Sequence, residues 1–199
     1  MRLPLLVLAA AFLVPAPLTA ADRPDILPRA DWNARPALKS PAMKHQEVRN
    51  ITIHHTAVVR SRKRPVAQLV RNLQRFSQSN AKLANGRRKK KWADVPYHYY
   101  IGRDGTIVEG RDVAFAGDTN TNYDPTGHIA IAVSGNFEKQ QPSPEQKASL
   151  VKLVGWLAGK HGVDPANIEG HKDHASTACP GRNLEAFLPE LRKRVGASG

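Results

Sequence analysis

The order of its patterned segments is the feature that most constrains how this chain can fold. In VRNITIHHTA, polar and apolar side chains alternate and residues 51–53 are β-branched. This pattern predicts a strand that ends at the two histidines. HIAIAVSGNF, at 128–137, predicts a further, partly buried strand. Residues 65–78 and 143–161 carry apolar side chains at helical spacing, the second set after a serine cap, a proline and a capping-box glutamine. Strands interspersed with helices predict an α/β (α+β) domain with a mixed central sheet flanked by helices.

Three further segments extend this pattern. YHYYIG and TIVEG, joined by Arg-Asp-Gly, predict a β-hairpin over 97–110. Residues 22–48 are rich in proline, so we expect them to wrap the surface with Trp32 as a packing anchor. A short helix is expected at about 184–195. No internal repeat or linker interrupts the pattern, which indicates one domain over 22–199.

Residues 1–21 have the layout of a secretory signal peptide. Arg2 precedes an apolar run, and small residues follow, so cleavage is expected after Ala20 or Ala21. The run is too short for a membrane span, although an uncleaved N-terminal anchor is the alternative. We expect a periplasmic or secreted monomer with no transmembrane segment after cleavage.

A net charge of +13 predicts attraction to polyanions. The densest basic runs lie at 60–64 and 87–91. Cell-wall polymers, acidic lipid head groups and extracellular nucleic acid are the candidate partners of an exported chain. Neither run is interleaved with aromatic residues, which argues against a nucleic-acid-binding protein. Lys90 and Lys91 adjoin Trp92, so part of the second run could line a groove.

GHKDHASTACPG, at 170–181, holds two histidines and the only cysteine of the 199 residues, Cys179. An unpaired thiol in an oxidising compartment is open to oxidation or mispairing. Zinc would hold it as thiolate, with histidines from the first strand and from this segment as further ligands. Two histidines and one cysteine leave a fourth position open, which is the catalytic pattern. Alternatively, Cys179 packs as a small hydrophobe and the histidines satisfy hydrogen bonds.

ITIHHTA, YHYYIGRDGTIVEGR, HIAIAVSGNF and GHKDHASTACPG, in that order, resemble the zinc N-acetylmuramoyl-L-alanine amidases of the type-2 amidase and peptidoglycan-recognition-protein family. The resemblance covers about residues 28–190, and ADWNAR looks like the family's lead-in. It implies an amidase/peptidoglycan-recognition-like fold, a Zn²⁺ cofactor and peptidoglycan as partner.

The resemblance also implies roles for particular residues. It implies that His54, His171 and Cys179 bind zinc. His174 is the substitute for His171 if that assignment is wrong. The substrate contacts expected in the groove are His55, His98 and Trp92, although His55 follows His54 on a strand and should face the other way.

The activity implied is metal-assisted hydrolysis of the amide between N-acetylmuramic acid and L-alanine of the stem peptide. Tyr97 and Thr177 match the family's catalytic tyrosine and its Thr or Lys position, where they would donate to the developing oxyanion. Some relatives place a glutamate base where this chain has Ala132. The base therefore stays open between Tyr97, metal-bound hydroxide and Glu109.

The alternative function is a module that binds peptidoglycan without cutting it. Cys179 argues against this alternative, because a binding groove alone requires no thiolate. Asp112 and Val113 follow EGR where some recognition proteins carry a diagnostic pair, so no preference for diaminopimelate or lysine stems is inferred.

Overall fold

The structure is a computed structural model that describes residues 22–40, 43–59, 64–83, 86 and 88–197. The predicted signal peptide at 1–21 lies outside the described residues, as does most of the first basic run. Along the described chain the strands are β1 (Ile26–Leu27), β2 (Asn50–His55), β3 (Tyr99–Ile101), β4 (Ile107–Glu109), β5 (His128–Val133) and β6 (Ile168–Gly170). The α-helices are α1 (Val66–Ser77), α2 (Pro144–His161), α3 (Arg182–Glu185) and α4 (Leu188–Ala197). Across these ranges, no helix has the length and apolar character that a membrane crossing requires.

The strands form one mixed sheet in the order β1-β4-β3-β5-β2-β6. Neighbouring strands are parallel except for the antiparallel pair β3 and β4, which is the predicted hairpin. Because β2, β5 and β6 are parallel, their carboxyl ends meet at the same edge of the sheet. That edge receives the two histidines that end β2 and His171, which directly follows β6.

Helices pack on both faces of the sheet. Successive side chains of a strand point to opposite faces, so each face has its own apolar core. Ile51 and Ile53 of β2 pack with α2 and α4 in the larger apolar core. Ala132 of β5 and Tyr100 of β3 belong to a second core on the α1 face, together with Trp32, Val66, Val70, Val95 and Val108. Since His54 pairs in register with Ala132, its side chain lies on the α1 face.

Helix α2 forms where the sequence predicts it. Ser143 Oγ accepts a hydrogen bond from the Gln146 backbone N–H at 3.1 Å, and Gln146 Oε1 accepts one from the Ser143 N–H at 3.1 Å. This reciprocal capping box fixes the first turn of the helix. Gly162, with φ of +67°, ends it in the left-handed conformation that glycine adopts without strain.

The structure differs from the sequence prediction at both ends of the domain. Residues 22–48 do not only wrap the surface, because Ile26 and Leu27 add β1 to the sheet edge. Trp32 is the expected anchor, being fully buried with its Nε1–H donating to the Glu109 carbonyl at 2.8 Å. The single helix expected at about 184–195 is two helices, α3 and α4. Strand β6 is a further element that the sequence pattern did not predict.

Candidate metal centre

The edge where β2 and β6 end brings His54, His171 and Cys179 together. One potential ligand atom from each lies within 4.8 Å of the others, and all three side chains are buried. Nδ1 of His54 is 3.7 Å from Sγ of Cys179, which also accepts a hydrogen bond from the His55 backbone N–H at 3.3 Å. Among the described residues this is the one group of three or more His, Cys, Asp or Glu side chains placed to hold a metal.

The local environment of these groups fits a divalent soft cation. Burial and the nearby His171 hold the pKa of His54 well below its ordinary value. Burial raises the pKa of Cys179 to about 12. The Nε2 atom of His54 is also buried without a hydrogen-bond partner. A neutral imidazole pair beside a thiol is the donor set that zinc prefers, and coordination would release the thiol proton. The residues present therefore fit the metal that the resemblance implies.

Tyr97 and Thr177 lie in the wall of the same pocket, whose cavity volume is about 370 Å³. Tyr97 stands two residues before β3, and its ring centroid is 4.8 Å from that of His54. Burial raises the pKa of Tyr97 above its ordinary value, so its hydroxyl stays protonated at neutral pH. Thr177 Oγ1 accepts from the Cys179 N–H at 3.2 Å, which leaves the hydroxyl proton available to donate.

The three predicted substrate contacts have different placements. His55 faces the opposite side from His54, and its Nδ1 accepts from the Phe137 backbone N–H at 3.3 Å, although the residue still borders the pocket. Trp92 lies between this pocket and a larger neighbouring cavity, and its buried Nε1 has no hydrogen-bond partner. The prediction that His98 contacts substrate is wrong. Its side chain is fully buried, with Nδ1 accepting from Ala130 N–H at 2.8 Å and Nε2 lying 2.9 Å from the Phe115 carbonyl.

The structure shows how far the candidate general bases lie from the metal group. Ala132 lies directly opposite His54 in the sheet, where a carboxylate would be next to the metal ligands. Glu109 is on a different surface, where its Oε2 accepts from the Arg29 backbone N–H at 3.2 Å. His174, the substitute ligand, is outside the metal group, with Nε2 3.2 Å from Glu169 Oε2. Asp118 is the carboxylate among the described wall residues of the pocket.

A loop after β4 forms part of the pocket wall, and no sequence pattern predicts it. Asp118, Thr119, Asn120 and Thr121 all border the cavity. Arg111 is buried beneath this loop, where its guanidinium donates to the carbonyls of Val95 and Ala116 and forms an ion pair with Asp118. Turn residues without apolar periodicity carry no pattern that would predict such a wall.

The neighbouring cavity has a volume of about 530 Å³ and lies along α1. It shares Trp92, Pro96 and Tyr97 with the metal pocket. The predicted apolar stripe of α1 lines this cavity, and its members Val66 and Val70 are also buried in the second core. An extended ligand could thus pass from the metal pocket along α1.

Comparisons with known proteins identify the family of the chain. The profile of the N-acetylmuramoyl-L-alanine amidase family (Amidase_2) matches residues 44–182. Peptidoglycan-recognition protein SD of Drosophila simulans is 32% identical over 171 residues, which are 83% of this chain and 84% of that protein. The endolysin of Enterobacteria phage K11 is 34% identical over 101 residues, 49% of this chain and 66% of the endolysin.

A solved structure extends the comparison to the fold. Peptidoglycan recognition protein-LE, in complex with tracheal cytotoxin, a monomeric diaminopimelic acid-type peptidoglycan, matches with a TM-score of 0.68 and 26% identity. The match covers 83% of this chain and 92% of that one. The predicted single-domain fold with a mixed sheet is confirmed.

Proposed function

The chain belongs to the N-acetylmuramoyl-L-alanine amidase family, and on that premise we propose that it is an exported zinc amidase of peptidoglycan. The bond cleaved is the amide between N-acetylmuramic acid and the L-alanine of the stem peptide. The observation that carries the proposal is the buried group of His54, His171 and Cys179 beside Tyr97 and Thr177. Export rests on the signal-peptide pattern of residues 1–21.

His54, His171 and Cys179 would hold the zinc, with the pocket side open to water and substrate. When bound, zinc supplies Lewis-acid polarisation of the scissile carbonyl and lowers the pKa of coordinated water. The donor set supports zinc over magnesium or calcium, because those hard cations take oxygen ligands.

Tyr97 and Thr177 act as hydrogen-bond donors to the carbonyl oxygen as it gains negative charge. Both residues border the pocket that the metal group faces. Because burial keeps the pKa of Tyr97 high, Tyr97 serves as a donor and is a poor base at neutral pH. Donors held in place before the reaction stabilise developing charge without reorganisation.

The pocket wall offers no free carboxylate base among the described residues. Asp118 borders the cavity, but its Oδ2 is ion-paired with the buried Arg111 guanidinium. We therefore assign Asp118 to holding the loop, and the described wall residues supply no dedicated base.

The second candidate function is peptidoglycan binding without cleavage. It is supported by the 32% identity to a peptidoglycan-recognition protein over most of the chain. Both functions use the cavity along α1, so binding assays alone do not separate them. Cys179 distinguishes cleavage from binding alone, because zinc chemistry needs its thiol and a binding groove does not.

The test is the release of stem peptides from purified peptidoglycan, detected as new amino-terminal L-alanine. Wild type and His174→Gln should both release peptides, whereas His171→Gln should release none. His174 is the matched control because it lies three positions along the same segment and outside the metal group. Wall binding by wild type without any release would instead favour the recognition function.

A further inference from the structure

We propose that Thr121 is a positioning residue that orients the ring of His171 for metal binding. The proposal rests on the zinc site inferred above. Thr121 Oγ1 lies 2.7 Å from Nε2 of His171, across 50 positions of sequence. Both side chains border the metal pocket. No residue pattern singled out Thr121, and its role emerges only from this contact.

In this proposal the contact favours one tautomer of His171. Nε2 carries the proton and donates it to the Thr121 hydroxyl, so Nδ1 keeps its lone pair for a metal. Histidine ligands of metals commonly donate their other ring N–H to an oxygen acceptor, which fixes both the tautomer and the ring orientation. Here the acceptor is a neutral hydroxyl.

A second hydroxyl holds Thr121 in this position. Thr119 Oγ1 accepts the Thr121 backbone N–H at 3.0 Å and lies 2.7 Å from Thr121 Oγ1. With the His171 N–H filling one lone pair of Thr121, the Thr121 hydroxyl donates its own proton to Thr119 Oγ1. The hydrogen bonds therefore run in series from His171 through Thr121 to Thr119.

The loop that carries Thr119 and Thr121 is fixed by a buried ion pair. Asp118 pairs with the Arg111 guanidinium, which is buried and also donates to the carbonyls of Val95 and Ala116. Asp118 precedes Thr119 directly, so the anchored stretch and the hydroxyl pair are contiguous. On the other side, the Tyr123 ring centroid is 5.2 Å from that of His171. The ring is therefore held by one hydrogen bond and by aromatic packing.

The first test measures zinc affinity by competition with a chromogenic chelator. Thr121→Val keeps the shape of the side chain and removes the hydroxyl, and it should weaken zinc binding by about tenfold or more. Thr121→Ser restores the hydroxyl and should bind zinc about as tightly as wild type. Thr126→Val is the matched control, since Thr126 lies in the same loop, is exposed and bonds Asp124 instead of a metal ligand.

Equal zinc affinity of Thr121→Val and wild type would overturn the proposal. Thermal unfolding of the metal-free variants identifies any general loss of folding, which would lower the affinity for an unrelated reason. If wild type itself takes up no zinc, the proposed function fails together with this inference. High wild-type affinity with no effect of Thr121→Val rejects the inference alone.

The second test reads the tautomer directly. Long-range proton–nitrogen NMR on the metal-free and zinc-loaded wild-type protein should show His171 protonated at Nε2 in both states. In Thr121→Val the metal-free spectrum should show a mixture of tautomers. Coordination through Nε2 in the zinc-loaded protein would contradict the proposal irrespective of any affinity change.

Discussion

Nδ1 of His54 lies 3.7 Å from Sγ of Cys179, although 125 positions separate them in the chain. The strand order explains the contact, because β2 pairs with β6 and the segment after β6 returns Cys179 to the end of β2. The complete ligand set therefore exists only when the sheet is assembled. Metal binding should accordingly be coupled to folding.

Zinc should raise the unfolding midpoint of the wild-type protein, and a chelator should lower it. A ligand that binds only the folded state at about 100 times its dissociation constant adds about 2.7 kcal/mol to the free energy of unfolding. Differential scanning calorimetry with and without zinc measures the shift. Cys179→Ser should show little zinc-dependent shift, and an unchanged shift in that variant would argue against thiolate ligation.

Tyr97→Phe should lower the rate of amide cleavage by about 100-fold while leaving zinc content unchanged. The reason is that removal of one oxyanion donor typically costs a factor of this size in kcat. Cleavage of a soluble muropeptide gives kcat, and metal analysis of the same sample gives the zinc content. A variant with full kcat would remove Tyr97 from the mechanism.

The basic run at 87–91 should divide into structural and wall-binding residues. Lys89 Nζ donates to the carbonyls of Ser77 and Ser79 at the end of α1, at 2.7 and 3.1 Å, so Lys89→Met should lower the free energy of unfolding by about 1 kcal/mol. Lys90 and Lys91 are exposed, so their double replacement by glutamine should weaken wall binding at low salt and spare stability. Sedimentation with insoluble peptidoglycan measures the binding.

Soluble muropeptides provide the control for that double variant. Their cleavage should be nearly unchanged, because the two lysines would hold the enzyme on an anionic polymer without touching the scissile bond. An equal loss on soluble and insoluble substrates would show that the lysines act in cleavage itself.

Protonation of His98 should lower the free energy of unfolding in mild acid. Burial lowers its pKa to about 4, and a proton added at Nδ1 would face the Ala130 N–H that now donates to it. Because the folded pKa lies below the unfolded value of 6.5, the stabilisation is complete above that pH and is lost as pH falls towards about 4. The full contribution is about 3 kcal/mol.

Urea unfolding of wild type and His98→Gln between about pH 7 and pH 4.5 tests this expectation. Other histidines with a lowered pKa, such as His128, contribute equally to both proteins, so the difference between the two curves isolates His98. The wild-type curve should be steeper, and parallel curves would mean that the pKa of His98 is the same in the folded and the unfolded protein.

Local sequence signals were sufficient for the longer elements of the fold. Helix α2 has a capping box and apolar residues at helical spacing from Leu150 to Ala158, and large and small side chains alternate along β5. Strand β6 has only three residues, Ile168–Gly170, and is defined by its pairing with β2. Strand β1 is shorter still and depends on β4 in the same way. Tertiary pairing rather than local propensity creates such strands.

The residues of the site likewise differ in whether the sequence could predict them. His54, His171 and Cys179 could be identified because their residue types and order are distinctive, and the structure brings them together. His98 was expected to contact substrate, but its side chain is fully buried in the interior. Thr121 and the Arg111–Asp118 pair depend on loop geometry, for which one sequence contains no periodic signal.

The most direct test of the central claim pairs two measurements on the mature protein: zinc per chain and release of stem peptides from purified peptidoglycan. Wild type should hold about one zinc and release peptides with amino-terminal L-alanine, and Cys179→Ser should do neither. Peptide release by a wild-type protein that holds no zinc would contradict the account, as would full release by Cys179→Ser.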